Sequence, residues 1–195
     1  MTLKIIGGTF KNRPLKTPKG PQTRPSLAIM RKAVFDILQQ DIIDADFLDL
    51  FAGTGAMGIE AISRGAHHAT FIDQDRQALS CIKENIQTFQ IDPQTTVIPA
   101  DALRALQKLS TQGTLFDIIY IDPPYALSPE KSFLLSLLTF LDTHPLLKSS
   151  ATVFLEEGAP AHLNPQSLTL KHLHHLNSRK FSHSILHQFH HNMKK

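Results

Sequence analysis

From Phe47 onward the chain alternates short apolar strands with amphipathic helices, and no other feature limits its possible folds so sharply. Phe47-Leu48-Asp49-Leu50-Phe51 reads as a strand, Ala56 to Arg64 as a helix and Ala69–Asp73 as a second strand. Asp75 is placed to cap a helix to about Gln90, whose apolar face is Ala78, Leu79, Ile82, Ile86 and Phe89. A strand at Thr95–Pro99, a helix from Asp101 to about Leu109 and a strand ending at Ile121 continue the series. Ser128-Pro129-Glu130 supplies a cap, a first-turn proline and a first-turn acid to a helix with Phe133, Leu134, Leu137, Leu138 and Leu141 on its core face. Ala151–Glu156 is a fifth strand, and Gln166–Leu176 with Phe181–Phe189 reads as a hairpin. Strands joined through helices must run mainly parallel, so the expectation is an open α/β sheet of seven strands with an antiparallel C-terminal edge hairpin.

Ahead of this series, Leu3–Ile6 is a short strand and Gly7-Gly8 permits a reversal. Thr9 to Pro25 is a basic arm punctuated by prolines and too polar to form a core; it either stays mobile or lies fixed over the domain. Ser26 caps a helix to about Gln39, with Leu27, Met30, Val34 and Ile37 or Leu38 inward and Arg31 and Lys32 pointing elsewhere. The division is therefore a basic extension, residues 1–25, and a single domain, residues 26–195.

Charge is distributed unevenly. Residues 1–40 hold eight Lys and Arg against one acid, residues 41–157 hold seven against sixteen, and residues 158–195 hold five with no acid. Basic ends on an acidic body suit a polyanion-binding surface, and nucleic acid is the expected partner. Lys11, Arg13, Lys16, Arg24 and Arg31 are the candidate contacts. Cys81 is the sole cysteine, so no internal disulfide forms, in keeping with a reducing compartment. With no signal-peptide pattern and no apolar run of about 18 residues, a cytoplasmic protein without a membrane span is expected.

The suggestive residues fall at strand carboxyl ends, where open α/β sheets bind ligands. Gly53-Thr54-Gly55-Ala56-Met57-Gly58 formally matches the G-x-G-x-x-G dinucleotide fingerprint, with Asp73 positioned to hold a ribose. Asp49 argues against a dinucleotide: a carboxylate inside the preceding strand is awkward beside a pyrophosphate and useful beside a cation. Asp122-Pro123-Pro124-Tyr125 ends a buried strand with two residues of fixed φ and no N–H. Such a corner holds still a carboxylate, a backbone carbonyl at Pro123 and an aromatic ring, which suits a flat group bearing an NH2. The plain alternative is an ordinary strand-to-loop turn.

Asp49-Leu50-Phe51-Ala52-Gly53-Thr54-Gly55 resembles motif I of the class I S-adenosylmethionine-dependent methyltransferases, which have a Rossmann-like fold. Asp122-Pro123-Pro124-Tyr125 resembles motif IV of those that methylate amino nitrogens. More narrowly, Lys4–Gly8, Arg13, Leu15, Pro18, Arg24-Pro25-Ser26, Arg31 and Phe35-Asp36-Ile37-Leu38 are similar to the N-terminal signature of the bacterial 16S ribosomal RNA guanine-N2 methyltransferases. That resemblance implies transfer of a methyl group from S-adenosylmethionine, leaving S-adenosylhomocysteine, to the N2 amine of one guanine. It also implies a monomer acting on 16S rRNA, within an assembling small subunit. Carried over by residue, Asp49, Phe51, Ala52, Gly53, Thr54, Gly55, Asp73, Gln74, Asp101 and Ala102 would bind the cofactor, Asp73 at the ribose and Asp101 at the adenine amine. Asp122 and the Pro123 carbonyl would accept from the guanine amine, with Pro124 stiffening the corner and Tyr125 stacking on the base.

The chain departs from that pattern in places. Ser26 stands for the usual threonine, Asp73 for the commoner glutamate, and Arg179-Lys180-Phe181-Ser182 where the family has a tyrosine and a glycine. Eight of the eleven histidines follow Ala161; their spacings suit no metal cage, and they are expected to form a weakly basic, RNA-facing edge. Two other readings stay open: a protein glutamine N5-methyltransferase, which typically has Asn at the position of Asp122, and a non-catalytic RNA-binding assembly factor.

Overall fold

A computed structural model describes residues 3–17, 26–124, 131–159 and 163–192. Its elements are α1 (Ser26–Leu38), β1 (Asp46–Leu50), α2 (Ala56–Ser63), β2 (His68–Asp73), α3 (Arg76–Phe89), β3 (Thr95–Pro99), α4 (Ala102–Thr111), β4 (Phe116–Ile121), α5 (Lys131–Thr143), β5 (Leu147–Gly158), β6 (Leu173–Lys180) and β7 (Ser184–His191). The seven strands run in the order β3-β2-β1-β4-β5-β7-β6, a mixed α/β sheet with the expected antiparallel edge. The chain forms two compact units, Met1–Ala102 and Leu103–Lys195.

In the first unit β1 pairs parallel with β2, and β2 with β3. Asp75 caps α3 as its sequence position suggests, its Oδ1 accepting from the N–H of Gln77 at 3.0 Å and of Ala78 at 2.8 Å. The amphipathic stripe buries Ala78, Ile82, Ile86 and Phe89. Residues 3–17 close a small loop back on themselves: Lys4 bridges Pro14, Ile5 N donates to Arg13 O at 3.0 Å, and Leu15 N to Leu3 O at 2.8 Å. Leu3 and Ile5 are buried in a segment that forms an isolated bridge rather than the expected strand, and within the polar arm Leu15 is buried too. The reversal needs Gly8, whose φ is +72° and where a Cβ would lie 1.7 Å from Ser63 O. Pro18–Pro25, with Arg24, lie outside the described residues.

Arg31 corrects the reading of α1. It is 3% exposed, donates from Nη2 to Lys4 O, and its Nε lies 3.5 Å from Glu60 Oε2 on α2. The buried face of α1 includes Met30, Arg31, Val34, Phe35 and Leu38, broader than the apolar pattern implied.

In the second unit β4 pairs parallel with β5, while β7 pairs antiparallel with both β5 and β6. The hairpin is shifted from its expected position. Pro165–Ser167 forms a single 3-10 turn, β6 runs to Lys180, and the tip is Phe181-Ser182-His183. Asn177 and Ser178 look like turn residues, but a register shift between His175 and Asn177 keeps them in the strand. Asn177 Nδ2 donates to Gln188 Oε1 at 3.3 Å. The entry to β6 is tied to α5 by Asp142, which accepts from the N–H of Lys171 at 2.7 Å, His172 at 2.7 Å and Leu173 at 2.8 Å. The Ser128–Glu130 cap of α5 lies outside the described residues.

Candidate active site

β1 is buried along most of its length and ends at Leu50, one residue earlier than its pattern suggests. The chain then turns through three left-handed residues within five: Phe51 at φ +67°, Gly53 at +56° and Gly55 at +76°. Glycine adopts this region without cost, whereas for a bulky residue such as Phe51 it is strained and persists only where neighbours enforce it. Here Phe51 N and Ala52 N both donate to Ile72 O at 3.0 Å, and Gly55 N to Ala52 O at 2.7 Å. The glycines differ in what they serve. A Cβ on Gly58 would lie 2.3 Å from the Phe71 ring, so that glycine lets α2 close on β2; a Cβ on Gly53 would meet nothing within 4 Å. Gly53 therefore turns its backbone to open space, where a ligand can approach it.

Two carboxylates set the electrostatics of this loop. Asp49 is 2% exposed and its Oδ2 accepts from Gly58 N at 3.0 Å. Burial pushes its pKa up from 3.8 to about 8; the Gly58 N–H opposes that, and the negative charge of Asp73 adds to it. An acid in this state gains from a cation brought beside it. Asp73 is half-buried; its Oδ2 accepts from Gly53 N at 2.8 Å and its Oδ1 from Asp75 N at 2.9 Å, which fixes the carboxylate at the mouth of the loop. Gln74 is exposed, and half-buried Asp101 stands directly before α4, whose first residue, Ala102, is buried.

In the second unit, Asp122 follows the buried end of β4 and is half-buried, Pro123 is buried and Pro124 exposed. Tyr120, two residues earlier, donates from its hydroxyl to Glu156 Oε2 on β5 at 2.6 Å, securing the strand beneath the corner. Tyr125 lies outside the described residues. Of the basic residues nominated from sequence, Lys11 is exposed. Arg13 donates to Thr88 O at 2.8 Å, with its guanidinium 4.3 Å from the Phe89 ring centroid, and Lys16 pairs with Glu84 at 2.8 Å.

The sequence profile of the conserved hypothetical protein 95 family matches residues 3–190. The chain belongs to that family. It is 34% identical over 161 residues to the protein YlbH of Bacillus subtilis, covering 83% of this chain and 85% of that one. It is 32% identical over 154 residues to ribosomal RNA small subunit methyltransferase D of Escherichia coli, covering 79% and 74%. Among solved structures, yhhF of Escherichia coli superposes with a TM-score of 0.81 at 26% identity, covering 98% of this chain and 99% of that chain.

Within this family member, two residues that brace the site escaped the sequence reading. Asn85 is fully buried on α3; its Nδ2 donates to Thr54 O and to Lys16 O, each at 3.0 Å, and its Oδ1 accepts from Lys16 N at 2.8 Å. It joins the glycine loop to the arm. Glu60 is fully buried on α2; its Oε2 accepts from Ile6 N at 2.9 Å and its Oε1 from Arg64 Nε at 2.8 Å, besides facing Arg31. The available signal was position: Asn85 lies between Ile82 and Ile86 on an apolar stripe, and Glu60 sits in an otherwise apolar helix. Among the described residues no helix is long and apolar enough to cross a membrane.

Proposed function

We propose that this chain transfers a methyl group from S-adenosylmethionine to the N2 amine of a guanine in 16S rRNA. The environment of Asp49 carries the reading: a buried acid whose pKa stands at about 8, beneath a strained glycine loop, matches a cationic ligand rather than a pyrophosphate. The Asp49–Gly55 loop would hold the cofactor's amino-acid end, Asp73 its ribose and Asp101 its adenine. When bound, the cofactor supplies an electrophilic methyl on a sulfonium. Similarity, at 32% identity, to ribosomal RNA small subunit methyltransferase D of Escherichia coli supports the RNA substrate.

The work left to the chain is positioning. Asp122 and the Pro123 carbonyl accept the two amine hydrogens, so the nitrogen lone pair, otherwise delocalised into the ring, is directed outward. Tyr125 stacks on the base, worth roughly 1–3 kcal/mol. Holding the reactants in line contributes on the order of 7–11 kcal/mol, and the amine proton is lost after transfer rather than before. A bulky ribonucleoprotein substrate requires open access, which favours a monomer working in the cytoplasm. Labelled-methyl transfer to unmodified 16S rRNA, free and in partly assembled subunits, tests the reading with Asp122→Ala as control. N2-methylguanosine is expected, with a loss of at least 100-fold in the variant. No transfer to either RNA, despite cofactor binding, overturns it.

A further inference from the structure

Several N-terminal cations are committed to the protein: Arg31 of α1 to Lys4 O and Glu60, and in the arm Lys16 to Glu84 and Arg13 to Thr88 O and the Phe89 ring. The C-terminal hairpin is the reverse. Arg179 and Lys180 are exposed at the end of β6, and among the described residues neither forms an ion pair. No acid follows Glu157 in the sequence. The two acids of β5 nearest the tip are buried and already engaged, Glu156 by the Tyr120 hydroxyl at 2.6 Å and Glu157 by His187 Nε2 at 3.2 Å and Leu163 N at 3.0 Å.

The register fixes where this pair lies relative to the amine-accepting corner. Ile121 pairs with Leu155, and Leu155 with His187; the following row runs from Glu156 through Leu186 to Arg179, and Asp122 directly follows Ile121 at the end of β4. Lys180 is one row further out, beside Ile185. Asp122 and Arg179 are thus on one rim of the sheet, three strand spacings apart, or about 14 Å. Exposed His183 stands at the same tip.

We infer that the β6–β7 tip is a second grip on the substrate RNA, with Arg179 and Lys180 binding backbone phosphates beside the nucleotide whose base enters the Asp122 corner. This rests on the proposed RNA reading and adds the surface that aligns the strand. A phosphate site needs positive charge held at a fixed distance from the reacting base, and a paired strand supplies that better than a loop would.

The test compares the full-length wild type with Arg179→Ala/Lys180→Ala in binding a 16S rRNA fragment across a salt series, with cofactor affinity and thermal midpoint measured in parallel. Loss of two phosphate contacts is expected to lower the salt slope of log affinity by about 1.4 for single-stranded RNA, with affinity weakened tenfold or more at low salt. Cofactor affinity and the midpoint should not move. The swap Arg179→Lys/Lys180→Arg, which keeps both charges, should recover most of the slope. Wild-type binding and slope in the alanine variant, with methyl transfer intact, overturn the hairpin grip alone. A wild type that neither binds nor methylates the RNA overturns the functional reading and the grip with it.

Discussion

The two ends of the chain look alike in composition and are built on opposite plans. Each is basic, and each is pinned to its unit by a buried carboxylate: Glu60 for the arm, Asp142 for the hairpin. Glu60 does so partly with cations, taking Arg64 at 2.8 Å and facing Arg31 at 3.5 Å. Asp142 accepts from three backbone N–H groups, at 2.7 to 2.8 Å. The arm therefore commits Arg13 and Lys16 to contacts within the fold, while Arg179 and Lys180 of the hairpin form no ion pair among the described residues. A count of lysines and arginines gives the field of a segment but not the share of it available to a partner.

The largest effect that tests this contrast is Glu60→Ala. Removing the acid takes the Glu60 carboxylate away from Arg31, 3% exposed, and the acceptor away from Ile6 N. A loss of roughly 3–5 kcal/mol in urea unfolding is expected, since breaking a buried pair from one side costs that much. Arg179→Ala/Lys180→Ala should stay within about 0.5 kcal/mol of wild type, as exposed substitutions do. Equal losses in the two variants would erase the distinction.

Local chemistry made much of this legible in advance. The Asp75 cap, the α3 stripe, the glycine loop and the proline corner depend on neighbours within a few residues, so their spacing reveals them. Arg31 was misread because its partner Glu60 lies in another helix, and no helical period reports a pairing across the fold. The hairpin shift has the same origin. Ser178 seems like turn chemistry until its Oγ is found 2.8 Å from His187 Nδ1 and 2.9 Å from His175 Nε2, within a strand. The histidine edge is likewise narrower than composition suggests. His187 and His191 are buried, and burial followed by the neighbouring His187 pushes the pKa of His175 below its usual value.

Asp142→Asn should have the next largest effect. Burial raises the Asp142 pKa, but the three N–H bonds and the charge of His172 together outweigh it and leave the pKa below the usual carboxylate value. A group depressed in the folded state stabilises above its unfolded pKa, about 3.9, and loses that contribution as pH falls through the folded value. The variant is expected to lose about 1–3 kcal/mol at neutral pH, by leaving N–H groups less well satisfied. The gap to wild type should shrink below about pH 4. A gap that is constant with pH would mean the carboxylate charge contributes nothing to the anchor.

Asp49 marks the limit of the comparison, as a buried acid with a backbone partner, Gly58 N at 3.0 Å, and no ion pair among the described residues. Its pKa is raised to about 8, so the sign is opposite to that of Asp142. Its contribution to stability is complete below the unfolded pKa, near 3.9, and is lost as pH rises through about 8. A cationic ligand beside it favours the carboxylate, so S-adenosylmethionine binding near pH 7 should release up to one proton. Affinity should then rise with pH, by at most about tenfold per unit, up to about pH 8. Titration calorimetry in buffers of different ionisation enthalpy measures the proton directly, and Asp49→Asn should abolish the release attributed to this group. If wild type and variant release the same number of protons, Asp49 does not meet the cation, and its buried carboxyl serves only to hold the start of α2 through Gly58.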